Sequence, residues 1–190
     1  MICMDKKTLH GMWNYFLMLE SDLDNTSRYI EPLNQENVYS FEFAKILILA
    51  CTEVEAVFKA ICHEIDDSQT AGDIGKYKSI ILGRYPKIVN TKVSAKRLGR
   101  DIYPFAGWDR GPLLWWNGYN DVKHNRESNF TKATYINAVS ALSALYILVF
   151  YLSKITGIEF KDYASQYFDS EYANGFFLHN SGKPLPDYET

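Results

Sequence analysis

Between Trp115 and Arg126 the chain reads Trp-Trp-Asn-Gly-Tyr-Asn-Asp-Val-Lys-His-Asn-Arg, gathering two Trp, three Asn, a Lys, a His and an Arg into twelve residues. If this run is helical, Asn117, Asn120 and His124 follow i, i+3 and i+7 and share one face, with Trp116, Tyr119 and Lys123 on the next. Imidazole titrates near neutral pH, so His124 is suited to acid–base work. Lys123 and Arg126 could contact phosphate, and Asn117 and Asn120 could orient a reacting group. Glu53, upstream, could orient His124 or pair with Lys123, as a third group orients a catalytic base. The structural alternative is that His124 and the Asn residues make buried hydrogen bonds that hold one helix against another.

Charge supports a polyanion. The net charge is −3, yet between Lys76 and Lys132 there are twelve Lys and Arg against four Asp and Glu, leaving eight against nineteen elsewhere. Such a split inside one domain points to a partner of opposite sign, and Lys96, Arg97 and Arg100 join Arg126 as candidate phosphate contacts. A metal has little support. The histidines, His10, His63, His124 and His179, are scattered, and no two of Cys3, Cys51 and Cys62 have CxxC spacing. Cys51 and Cys62 lie in apolar runs and read as buried, reduced thiols. No cofactor is expected.

These residues need elements to position them. Leu9, Met12, Trp13, Phe16, Leu19 and Leu23 recur at helical steps, which predicts a helix over residues 7–25 with Glu20 at the edge of the stripe or outside it. Pro32 and its neighbours mark a loop over 28–39. Ser40 is placed to cap a long helix over 40–65, whose apolar stripe runs from Phe43 to Ile61. Residues 77–82 read as a short helix stopped by Gly83 and Pro86. Residues 88–103 admit a β-hairpin or an extended loop around Gly99. A short helix is expected from Pro112 to Lys123 or His124. Asn129 or Thr131 would then cap the last helix, over 132–156, with Gly157 as its stop.

From Ala133 to Ser153 no charged residue interrupts the chain, which is long enough for a bilayer. Its Thr, Asn, Ser and Tyr content favours the buried central helix of a bundle instead. The opening Met-Ile-Cys-Met-Asp-Lys-Lys lacks the pattern of a secretory signal, so a cytoplasmic, non-membrane protein is expected. The fold class is therefore all-α: an antiparallel four- to five-helix bundle with an irregular basic insertion over 76–111 that admits a small hairpin. The bundle would occupy residues 1–160, and 161–190 would form a partly mobile extension, its last ten residues mobile.

The combination Ser40, Phe43-Ala44-Lys45, Thr52-Glu53-Val54-Glu55 and Lys59, followed by Tyr119-Asn120-Asp121-Val122-Lys123-His124-Asn125-Arg126, Phe130, Ala133 and Asn137-Ala138, resembles HEPN-like helical domains of prokaryotes. The likeness spans residues 8–156, and its specific part is the Tyr-Asn-x-x-Lys-His-x-Arg run. It implies a dimeric helical bundle, and, in many members, metal-independent endoribonuclease activity in toxin–antitoxin, phage-defence and RNA-processing systems. The family's active motif is an Arg, four to six residues, then a His. Here Tyr119, Gly118 or Asn117 stands where that Arg would be.

Three functions follow. In a ribonuclease, His124 would activate a ribose 2′-hydroxyl while Lys123 and Arg126 stabilise charge on phosphorus. A catalytically silent module would bind RNA, a nucleotide or a partner protein through the same cations and through Trp115 and Trp116. A dimeric scaffold would serve an operon-encoded partner. Trp115, Trp116 and Tyr119 are ring types enriched at interface cores, so residues 108–126 are expected at or beside a two-fold interface. Glu53 or Glu55 is expected to find a cationic partner in Lys123, His124 or Arg126.

Overall fold

The last long helix organises the molecule. In the computed structural model, which describes residues 4–68, 71–159 and 164–170, this helix (α6) runs from Tyr135 to Thr156, and every residue from Ala141 to Ser153 is buried. A helix apolar all round can be stable in water only at the centre of a protein or in a bilayer. By length and composition it could cross a membrane, but 83% of its most apolar window is buried inside the protein. It is the core.

Around it pack α1 (Lys6–Thr26), α2 (Phe41–Ile65), α3 (Ile74–Arg84) and α4 (Leu114–His124), with a short α5 (Arg126–Asn129). The caps are local chemistry. Asp5, Ser40, Asp73 and Thr134 each accept a hydrogen bond from the backbone N–H three residues on. Gly157 ends α6 in the left-handed conformation, at φ 67°. The expected Ser40 cap and Gly157 stop are both present. The start of the last helix is corrected to Tyr135, because Phe130–Lys132 forms a tight 3₁₀ turn and Thr134 bridges to Tyr39. The short helix predicted at 77–82 is longer at both ends, and α4 begins two residues after Pro112.

The bundle is not uniformly antiparallel. Asp22 meets Lys45 at 3.1 Å, while Met4, Thr8 and Met12 share a groove with Ala56, Lys59, Ala60 and His63, so α1 opposes α2. The starts of α2 and α6, however, lie together: Ser40 N–H donates to Ala133 O at 3.3 Å and the Phe43 and Tyr135 rings are 5.3 Å apart. At the far end Trp13, next to Met12 on α1, meets Tyr146 of α6 at a tilt and Phe150 edge-on. Helices α2 and α6 therefore run in the same direction. The expectation of an antiparallel bundle fails at this pair because α3, a hairpin, α4 and α5 intervene and carry the chain back to its starting end.

The basic insertion holds that hairpin. Strands β1 (Val93–Ala95) and β2 (Arg100–Ile102) pair antiparallel with Val93 opposite Ile102, joined through Gly99 at φ 60°. A third strand, β3 (Phe168–Asp169), adds to β1 in the order β2-β1-β3, so the class is mostly α with a small antiparallel sheet rather than all-α. Glu20 anchors the added strand. Its carboxylate, 3% exposed, accepts from Ser165 Oγ and from the backbone N–H groups of Gln166, Tyr167 and Phe168. The expectation that Glu20 lies at or beyond the stripe's edge is corrected: it is inside, turned toward backbone donors from the far end of the chain. Residues 164–170 of the expected C-terminal extension thus pack on the domain. The expected mobility of the last ten residues, and Cys3 and His179, lie outside the described residues.

Candidate functional site

Helix α4 is seated by aromatic packing. Trp115 donates its indole N–H to Pro104 O at 2.7 Å, and Trp116 lies against Phe58 of α2 and Tyr119. Phe105 and Trp108, from the insertion, extend the same cluster. Gly118 lets α4 approach the start of α6: a Cβ there would stand 2.7 Å from Asn137 Nδ2, which itself donates to Lys132 O at 2.8 Å. Trp115, Trp116 and Tyr119 are 4%, 6% and 2% exposed. They are used inside the protomer, so the rings offered for a two-fold interface are not on the surface. Leu114, 81% exposed, is the large apolar side chain that α4 leaves outside.

The expected polar face exists and points outward. Asn117 and His124 are exposed and Asn120 is half-buried, and among the described residues none of these side chains makes a hydrogen bond or ion pair. The alternative of buried, helix-fixing hydrogen bonds therefore does not hold for this His and these Asn residues. His124 closes α4, and Asn125 forms the bend and caps α5 through its side chain, which accepts from Ser128 N–H at 3.4 Å. Asn129 Nδ2 ties the bend back to Asn125 O at 3.0 Å. A cationic side chain at a helix C-terminus also meets the negative end of the helix dipole.

The two flanking cations differ. Lys123 Nζ donates to Tyr119 Oη at 2.9 Å and lies 5.1 Å from that ring's centre. The hydrogen bond to Tyr119 raises its pKa, with smaller contributions from the Glu55 and Cys51 fields, so it stays charged. Arg126 places its guanidinium 5.9 Å from the centre of the Phe41 ring and makes no ion pair among the described residues.

The remaining expected contacts fare otherwise. Glu53 is half-buried with no partner among the described residues, and desolvation raises its pKa. Glu55 makes its ion pair with Lys59 of its own helix at 2.9 Å and reaches the His124 corner only through its field on Lys123. The expected nearness therefore holds for Glu55, and the expected ion pair does not form. The physical reason is spacing: Lys59 is one turn away, and an i,i+4 pair needs no second helix. Arg97 grips Asp24 through Nε at 2.8 Å and Nη2 at 3.2 Å, and Arg100 holds Glu36 at 2.7 Å. These two expected phosphate contacts are tethers between the hairpin and the acidic side of the molecule. Lys96 is exposed beside them without an acidic partner among the described residues.

Among the described residues no three His, Cys, Asp or Glu side chains cluster as a metal site. Cys51 and Cys62 are free and buried, and burial pushes the Cys62 thiol up to about 11. No family model matches the chain, and no match was found among curated proteins or solved structures.

Missed by the sequence reading was the surface beside the His124 corner. Phe41, 71% exposed, lies 4.6 Å from the Phe130 ring, which meets Tyr39 edge-on at 5.5 Å. The signal was present in Tyr39 and Phe41 flanking the Ser40 cap, where at least one side chain must point away from the core.

Proposed function

We propose that this chain is a HEPN-like, RNA-directed module of a defence or toxin–antitoxin system, which holds the RNA backbone at the corner where α4 turns into α5. One observation carries the reading. Lys123 and Arg126 flank an exposed His124 and form no ion pair among the described residues, with only the field of Glu55 reaching Lys123, whereas Lys45, Lys59, Lys92, Arg97 and Arg100 are ion-paired within the chain. Cations left without a counter-ion on a fold that neutralises others are suited to an external anion. The Tyr-Asn-x-x-Lys-His-x-Arg likeness selects RNA among polyanions, and the aromatic setting of α4 makes the corner rigid.

Binding is the primary activity under this reading, because nothing orients His124 and no Arg precedes it at the family's spacing. The test is fluorescence anisotropy with labelled single-stranded RNA in EDTA at low and moderate salt. Affinity should fall steeply with salt, and Arg126→Ala should lower it. An affinity indifferent to both would refute the proposal.

Cleavage is the second reading, favoured by the unengaged and exposed imidazole. His124 would take the proton of a 2′-hydroxyl as that oxygen attacks the adjacent phosphorus, with Lys123 and Arg126 stabilising the charge and Asn117 and Asn120 orienting the phosphate. The P–O5′ bond would break, the 5′-oxygen would leave with a proton from water, and a 2′,3′-cyclic phosphate would remain. Products on a gel in EDTA, lost in His124→Ala with binding retained, would establish it. Intact RNA across several substrates would end it. The two-fold homodimer implied by the resemblance is tested by light scattering, and a monomer mass at micromolar concentration would remove it.

A further inference from the structure

We infer that Phe41 and Phe130, with Tyr39 at their edge, form a stacking subsite for a nucleobase of single-stranded RNA, adjoining the phosphate contact at Arg126. The inference rests on the RNA-directed reading above and specifies what part of the RNA is held. The rings come from two segments far apart in sequence, the start of α2 and the turn before α6. Backbone pairing brings them together: Tyr39 bridges Thr134, Ser40 N–H donates to Ala133 O at 3.3 Å and Tyr135 N–H donates to Val38 O at 2.9 Å. The platform is thus held by the main chain and needs no ligand to assemble.

Its exposure sets it apart from the other Phe side chains, although Tyr29 and Leu114 are more exposed still. Phe16, Phe43, Phe58, Phe105, Phe150 and Phe168 are all buried, and Phe41 is the exposed Phe among the described residues. A π-face kept in water beside an unneutralised guanidinium matches a ligand with both a flat apolar part and a negative charge. The surrounding charge fits the same ligand. Lys123, Arg126 and Lys132 are exposed and form no ion pair among the described residues, against Asp121 and Glu127 in the same stretch of chain and the Glu55 field at Lys123. An apolar protein partner would account for the rings but not for the cations.

The experiment compares a short single-stranded RNA with an abasic oligonucleotide of equal length and charge, for wild type, Phe41→Ala, Phe41→Tyr and Arg126→Ala. Phe41 is largely exposed, so Phe41→Ala should fold, and Phe41→Tyr keeps a ring if it does not. Wild type should bind the base-bearing strand about tenfold more tightly, as expected for one base–aromatic stack. Phe41→Ala should lose that preference, so that its affinities for the two strands become equal, and Phe41→Tyr should retain it. Arg126→Ala should weaken both strands alike. Equal binding of the two strands by wild type would overturn the stacking subsite while leaving the phosphate contact standing. Binding of neither would overturn both. A Phe41→Ala protein with unchanged RNA binding but reduced self-association would also overturn it, assigning the platform to a second copy of the chain.

Discussion

Gly118 offers a sharp test of how α4 is held, because the effect of its substitution should depend on one neighbour. In a helix interior, Gly→Ala ordinarily stabilises by about 1 kcal/mol through backbone entropy. Here the new Cβ would lie 2.7 Å from Asn137 Nδ2 and 3.4 Å from Asn137 Cγ. The Asn137 side chain must therefore move, breaking its 2.8 Å hydrogen bond to Lys132 O. The atom met is the far end of a flexible side chain, so moving it costs less than core overpacking. With the lost bond costing about 1 kcal/mol, the usual gain is cancelled and Gly118→Ala should be neutral to destabilising by about 1 kcal/mol. With Asn137→Ala the obstruction is gone, and water can reach the exposed Lys132 O. In that background Gly118→Ala should stabilise by about 0.5–1 kcal/mol, a coupling of about 1 kcal/mol between the two positions. Denaturant unfolding of the four proteins measures it, and thermal midpoints should move by about 2–4 °C per kcal/mol for a chain of this size. The same ΔΔG for Gly118→Ala in both backgrounds would refute the close approach of α4 to α6.

Glu20→Gln should cost about 2 kcal/mol or more, since the Gln amide nitrogen cannot accept from the donors its carboxylate now serves. Hydrogen exchange at Gln166, Tyr167 and Phe168 should rise before the helices open, and unchanged protection would contradict the clamp. Glu53→Gln tests desolvation: the folded pKa is raised, so Glu53 contributes most favourably below its ordinary value of 4.5, and that contribution is lost as pH rises through the folded pKa. Glu53→Gln should therefore be more stable than wild type at pH 7 and no more stable well below 4.5, as denaturant midpoints would reveal. Arg97→Ala should leave RNA affinity and its salt dependence unchanged, and lower stability by less than about 1 kcal/mol. Arg126→Ala should reduce the slope of log K against log salt by about 1. Equal loss in the two variants would erase the distinction between tether and contact.

The long elements were readable because periodicity and burial are the same fact in a helix. Leu9 to Leu23 in α1 and Phe43 to Ile61 in α2 recur at the spacing that places them on one side, and both stripes are buried. The unbroken apolar run after Ala133 identified a helix surrounded on all sides. What periodicity could not reveal was direction, since a stripe has no sign, and the parallel course of α2 and α6 depends on the Tyr39–Thr134 bridge. Glu20 was misplaced for a related reason. A carboxylate on an apolar stripe is buried when it finds donors, and these come from residues 165–168, far beyond any local window.

The site was readable in its residue types and not in their pairings. Counting charge from Lys76 to Lys132 treats Arg97 and Arg126 alike, yet the fold opposes Asp24 to the first and a phenyl ring to the second. An ion-paired Arg presents little field to an incoming anion, so the hairpin's cations fasten the sheet to α1 and to the segment before α2. Two cations without an ion pair among the described residues, Lys123 and Arg126, stand instead where α4 ends. There the helix dipole is negative, the caps are Asn rather than Asp, and Glu127 is the nearest acid in sequence beyond the bend. A corner with two cations outside any ion pair among the described residues, an exposed imidazole and a largely exposed ring results from these pairings, and its position next to the start of the core helix α6 makes it rigid. Removing the counter-ion by Asp24→Asn should therefore free Arg97 to contact RNA, and a binding gain in that variant, abolished by Arg97→Ala, would show that pairing rather than distance silences the hairpin. No gain at low salt would mean that the hairpin lies outside the path of the strand.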